Sequence, residues 1–181
     1  NFNHSCNVDV FFALSHGVHR GILKAGKIDD RIIFLKDLIN KTQNVKFDIY
    51  GIEKIQPIWA DHYFKTISNA KMGLNLSRGK AIKYYSSDRI TQIVGNGLAC
   101  LIDEKTNYRD FFDDTEMVFY KNENDLAEKI IKISRDEKIR KLIARRGKKK
   151  YMQHFNSTKV AEFIINKTLD IKAKKKFFWH N

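Results

Sequence analysis

The stretch from Gly73 to Asp103, GLNLSRGKAIKYYSSDRITQIVGNGLACLID, constrains this chain more than any other. Two short apolar runs, Gly73 to Leu76 and Leu98 to Ile102, have the look of buried strands. A basic, polar loop, Ser77 to Tyr85, follows the first. Ser86, Ser87 and Asp88 then offer side-chain oxygens to the orphan N–H groups of a first helical turn. The pattern predicts a helix from about Arg89 to Val94, stopped by Gly95, Asn96 and Gly97. Strand, loop, helix, glycine stop and strand make one βαβ unit of a parallel sheet.

A helix start at the carboxyl end of a buried strand is a place where α/β proteins bind anions, because free N–H groups and the helix dipole face the ligand. Arg78, Lys80, Lys83 and Arg89 surround that point with positive charge, and Tyr84 and Tyr85 add flat surfaces with polar edges. A diphosphate is expected near Ser86 to Arg89, Ser87 included. The spacing alone fits a plain basic loop on a basic protein equally well.

The chain has 181 residues, enough for one core of ordinary size. Its 43% hydrophobic and 12% aromatic content is that of a globular protein. No apolar run spans a bilayer and no signal peptide opens the sequence. The net charge of +13 points to a polyanion: nucleic acid, an anionic membrane surface or a phosphorylated ligand. Nucleic acid is disfavoured, since no helix-turn-helix, zinc finger or RNA-binding aromatic signature is present. Cys6 and Cys100 lie far apart without metal-type spacing and read as reduced thiols of a cytosolic protein.

Residues 1–7 read as a linker from a preceding domain, and residues 8–171 as one α/β domain. Val8 to Leu14 is a first strand, ending at a loop with Ser15, His16, Gly17, His19 and Arg20. That loop is neither GxGxxG nor a P-loop; Arg20 is its best anion ligand, and Ser15, His16 and Gly17 are further candidates. Ile28 to Thr42 is an amphipathic helix with Ile32, Ile33, Leu35, Leu38 and Ile39 inward. Val45 to Tyr50 is a strand ending at Gly51. Pro57 opens a helix to about Asn69, with Trp59, Tyr63, Phe64 and Ile67 as its buried stripe. Glu116 to Tyr120 is the last strand. Three helices follow, from about Asp125, from Glu137 to about Tyr151, and from Ser157 to Ile171. The tail, residues 172–181, joins lysines to Phe177, Phe178 and Trp179, which suits a peripheral membrane contact or a frayed terminus.

From Val8 onward the chain resembles the C-terminal, nucleotide-sugar-binding half of a GT-B glycosyltransferase, in the spore-maturation CgeB-like branch of the group 1 enzymes. The resemblance rests on four landmarks in order. These are the strand Val8 to Phe12, the strand and glycine Phe47 to Gly51, the helix, turn and strand Arg89 to Asp103, and the segment from Phe111 through Tyr120 to a turn at Arg145, Arg146 and Gly147.

This resemblance implies a Rossmann-like parallel sheet flanked by helices, holding a nucleoside-diphosphate sugar at its strand ends. Arg89 would contact the donor diphosphate. Gln92 stands where the family has a ribose-binding glutamate, and Gly51, Tyr84 and Tyr85 join it as expected nucleoside contacts. Tyr84 occupies the position of the earlier glutamate of the Glu-x7-Glu motif, so that motif is absent. Catalytic residues, and inversion or retention, stay open. No metal is expected, because cations and a helix start would stabilise the leaving phosphate. The acceptor would lie on an N-terminal domain missing from this chain, and the setting would be cytoplasmic, with the inner membrane face as a second site. A non-catalytic glycosyltransferase-like protein and a basic nucleic-acid-binding module are the alternatives.

Overall fold

The computed structural model describes residues 6–14, 29–85, 87–172 and 176–179. Five strands form one parallel sheet: β1 (Val8–Ala13), β2 (Phe47–Tyr50), β3 (Ala70–Asn75), β4 (Ala99–Asp103) and β5 (Val118–Tyr120). Their spatial order is β2-β1-β3-β4-β5. The helices are α1 (Asp30–Lys41), α2 (Ala60–Ile67), α3 (Arg89–Gly95), α4 (Glu123–Arg135), α5 (Glu137–His154) and α6 (Ser157–Thr168). This is the expected α/β sheet with helices on both faces.

A parallel sheet covered on both faces needs apolar residues at consecutive positions, because successive side chains point to opposite sides. Val10 and Phe12, with Met72, Leu74 and Leu101, meet Leu35 and Leu38 of α1 and Leu126 and Ile130 of α4 on one face. Phe11, Cys100, Ile102 and Phe119 meet Ile67 of α2 and Ile90, Ile93 and Val94 of α3 on the other. At the amino end, the buried Asp9 ties three strands together. Its carboxylate accepts from Lys71 Nζ at 2.6 Å and from the Lys46 amide at 2.9 Å. Burial drives the Cys100 thiol pKa up to about 12, so it is an inert core residue.

Several expectations need correction. In α1, Ile33 is 58% exposed and Ile39 also faces solvent, while Arg31 is buried in their place. The inward stripe runs through Arg31, Leu35 and Leu38, and Arg31 is tolerated there because Asp29 neutralises it. In α2 only Ile67 is core; Trp59 is 60% and Phe64 51% exposed. The helix begins after Trp59, so that ring leaves the buried stripe. Asp88 has helical backbone angles and makes no side-chain cap bond, so the expected cap is only a long contact of 3.4 Å from the Arg89 amide to Ser87 Oγ.

Arg145, Arg146 and Gly147 form no turn. They lie inside α5, which contributes Ile143 and Ala144 to one face and packs Tyr151 against the other. The helix crosses at the amino end of β5. There a Cβ on Gly147 would lie 2.2 Å from the Glu116 carbonyl oxygen, and Lys150 Nζ meets the Glu116 carboxylate at 2.7 Å. The tail rings also turn inward instead of fraying. Phe178 stacks on His154 at 4.2 Å between centroids, Trp179 on Phe155 at 5.3 Å, and Phe177 meets Phe163 at 5.2 Å.

Gly147→Ala should therefore destabilise the chain despite the better helix propensity of alanine. The overlap with main chain forces α5 away from Glu116 at a cost of about 1–3 kcal/mol, read as a lowered urea midpoint at unchanged m-value. Equal or greater stability would contradict this packing.

Candidate functional site

The chain passes from β1 to β2 on one side and then returns to place β3 on the other side of β1. The helix after β1 packs on one face and the helix after β3 on the opposite face. Their connections diverge at the carboxyl ends of β1 and β3, which opens the crevice where α/β sheets bind ligands.

Arg89, the first residue of α3, spans this point. Its Nε donates to the Ala13 carbonyl at 3.2 Å and its Nη1 to the Leu76 carbonyl at 3.0 Å, joining the ends of both strands. Its guanidinium carbon lies 5.0 Å from the centroid of the Phe12 ring. Burial lowers its pKa, and the nearby Arg31 lowers it further, yet an arginine stays charged at neutral pH. The two hydrogen bonds use two of its five N–H groups. Among the described residues no carboxylate forms an ion pair with it.

A crevice of about 280 Å³ opens beside Arg89. Ala13 and Leu14 form its strand side, Asp88, Arg89 and Gln92 its α3 side, and Ile58, Trp59, Ala60, Tyr63 and Phe64 its α2 side. Of the three aromatic rings expected in the core, Tyr63 lines the crevice and also packs against the core, while Trp59 and Phe64 are exposed walls of the crevice. Their exposure was hidden in the sequence because an apolar stripe facing a crevice has the same period as one facing a core. Behind Arg89, Asp29 and Arg31 form a buried fork. Arg31 Nε and Nη2 donate to Asp29 Oδ1 and Oδ2 at 2.9 and 2.6 Å. The Arg31 side chain holds the Asp29 carboxyl down at about 2.

The other expected site residues divide. Gln92 lines the crevice with Arg89, and Ser87 is half-buried at the start of α3. Arg78 and Lys80 are exposed on the loop after β3. Gly51 is buried at the end of β2 with φ 75°, a backbone shape that glycine adopts without strain. Tyr85 is exposed. Tyr84 is drawn away from the crevice: its amide donates to Thr106 O at 2.8 Å, its hydroxyl to Asp110 at 2.6 Å, and its ring meets Phe111. Ser15, His16, Gly17 and Arg20 lie outside the described residues. Among the described residues, no group of three or more potential metal ligands occurs, and no helix is long and apolar enough to cross a membrane.

A family model described as glycosyl transferase-like matches residues 31–166, three-quarters of the chain. The chain belongs to this glycosyl transferase-like family. The match takes in the α2 and α3 sides of the crevice and begins after its strand side, Ala13 and Leu14. No curated protein matches the sequence significantly. Among solved structures, a mutant of S. aureus TarM in complex with Fondaparinux, α-GlcNAc-glycerol and UDP is similar at a TM-score of 0.63 and 15% identity. A second TarM crystal structure gives 0.64 and 14%. Each likeness covers 93% of this chain and 36% of TarM. The parallel sheet and its helices thus have the GT-B glycosyltransferase fold, and this glycosyl transferase-like chain spans about a third of the length of TarM.

The Asp29–Arg31 fork should be visible in acid unfolding. The Asp29 pKa is depressed, so its contribution is full above the unfolded value near 4 and is lost as pH falls through about 2. That contribution is about 2 kcal/mol. Asp29→Asn should cost about 3 kcal/mol at pH 7, because it strands a buried guanidinium. The gap between variant and parent should narrow between pH 4 and pH 2 in urea titrations; a gap independent of pH would exclude the ionised fork.

Proposed function

We propose that this chain is the donor-binding part of a glycosyltransferase, taking a nucleoside-diphosphate sugar into the crevice between β1, β3, α2 and α3. The observation that carries this reading is Arg89. It is a half-buried guanidinium at the switch point, without an ionic partner among the described residues. A cation held in such a place gains most from a ligand that brings negative charge. The family match and the GT-B fold support the same placement, and one of the TarM structures contains UDP.

In this reading Arg89 holds the diphosphate, with Ser87, Arg78 and Lys80 contributing from the segments around it and Arg20 as a further anion ligand on the sequence alone. Gln92, one helical turn later, hydrogen-bonds a ribose hydroxyl, as a neutral group in place of a carboxylate. The exposed Trp59 and Phe64 give the nucleoside an apolar wall, a role the sequence suggested for Tyr84 and Tyr85. Transfer breaks the bond between the anomeric carbon and the diphosphate oxygen. Arg89 then stabilises the charge that gathers on the departing nucleoside diphosphate, without a metal ion. The acceptor, a glycan, lipid or protein, sits on a further domain, in keeping with the 36% of TarM that this fold covers. We place the protein in the cytoplasm and in the CgeB-like branch on the landmarks of its sequence.

Titration of the chain with UDP, GDP and their sugar conjugates tests this. One nucleotide family should bind, and Arg89→Ala should weaken it roughly tenfold to a hundredfold, the size of a lost charge-assisted hydrogen bond. Arg89→Lys should recover part of the loss. Unchanged affinity in Arg89→Ala would remove the diphosphate from this crevice. The chain alone should turn over donor far more slowly than a full-length enzyme.

A further inference from the structure

Asn75, the last residue of β3, is 3% exposed, and neither its Oδ1 nor its Nδ2 has a hydrogen-bond partner among the described residues. A buried amide left in this condition is costly in a fold that otherwise satisfies most of its polar groups. Its position is particular. The register that sets Val10 against Met72 and Phe11 against Gly73 continues to set Ala13 against Asn75. Side chains alternate along a strand, so Asn75 projects to the same face as Gly73. A Cβ on Gly73 would meet Ile93 of α3 at 2.5 Å. Moving two residues along the strand climbs about 6.6 Å, and moving four residues back along α3 climbs about 6 Å. The second path ends at Arg89. The guanidinium of Arg89 is bonded to the carbonyls of Ala13, across from Asn75, and of Leu76, next to it. The orphaned amide therefore lies level with Arg89, at the base of the same switch point.

We infer that Asn75 is a specificity-determining residue of the donor site, binding a hydroxyl of the transferred sugar beside the diphosphate. This rests on the donor-site reading above and goes beyond it in assigning the sugar side. The chemistry selects the ligand: phosphate oxygens only accept hydrogen bonds, whereas a sugar hydroxyl donates to Oδ1 while its neighbour or the phosphate accepts from Nδ2. Both amide atoms are closed off from solvent in the structure. Asn75 does not line the crevice itself. A diphosphate binding Arg89 must open the amide, so that the sugar engages Asn75 once the anion engages Arg89. A site that leaves a buried polar group unpaired without the right hydroxyl discriminates strongly against ligands that lack it.

The test is calorimetric titration of the full chain, as parent, Asn75→Leu and Asn75→Ser, with UDP and UDP-N-acetylglucosamine, and with GDP and GDP-mannose as a second pair, alongside thermal melts. Leucine matches the amide in heavy atoms and removes its polarity. Asn75→Leu should keep or raise the melting temperature, change bare-nucleotide affinity by less than threefold, and weaken the sugar nucleotide at least tenfold. Should the leucine variant not fold, Asn75→Ser should show the same preferential loss severalfold. Loss of bare nucleotide and sugar nucleotide in equal measure, or of neither, would overturn the role of Asn75 while the Arg89-dependent donor site stands. A parent chain that binds no nucleotide would overturn both.

Discussion

The carboxyl ends of β1 and β3 are bound together by one side chain, the guanidinium of Arg89. Main-chain carbonyls at strand ends have no ladder partner beyond the sheet, and Arg89 satisfies two of them at once, at Ala13 and at Leu76. Doing so fixes the start of α3 against the sheet. It also holds a positive charge where connections to opposite faces diverge. The crevice, its aromatic wall on α2 and the buried Asn75 are all placed relative to this contact. The Asp29–Arg31 fork leaves the charge on Arg89 available among the described residues, because the buried Asp29 carboxylate is already committed to Arg31.

Much of the fold was legible because a doubly covered parallel sheet writes itself as short apolar runs separated by helical periods. Val8 to Leu14, Gly73 to Leu76 and Leu98 to Ile102 each led to a strand within a few residues. What remained hidden depended on which side of an element met what. Ile33 and Ile39 carry no mark in the sequence that sets them apart from Ile32 and Leu35. Trp59 and Phe64 have core character and helical spacing, yet they face a crevice, because α2 starts later than Pro57 suggested. Gly147 looked like a turn residue, but its smallness serves a close helix-to-loop approach, which depends on the distant Glu116. Of the site, Arg89 and Gln92 were readable as a pair one turn apart. Tyr84 was not, since its hydrogen bonds to Thr106 and Asp110 are tertiary. The resemblance to GT-B enzymes rested on the order of landmarks and foretold the fold that the comparison with TarM shows.

The strong positive charge has two separable components. Arg31 and Arg89 are structural cations gathered at the strand ends, where burial makes their charge count most. Arg140 of α5 is buried and Lys150 is paired with Glu116, but Lys138, Arg145, Arg146 and Lys149 lie on its solvent side, where screening weakens each one. The tail adds aromatic rings to that region, but they stack on His154 and Phe155 and meet Phe163 edge to face. Charge density alone would direct attention to α5, whereas burial and geometry direct it to the switch point.

The most direct measurement is amide chemical-shift mapping of the isotope-labelled chain during titration with the nucleoside diphosphate that binds it. The largest perturbations should cluster at Ala13 and Leu14, from Ile58 to Phe64, and from Asp88 to Gln92, with α5 and α6 almost unmoved. Perturbations concentrated on the basic face of α5, with the switch point silent, would contradict the claim that Arg89 organises the site.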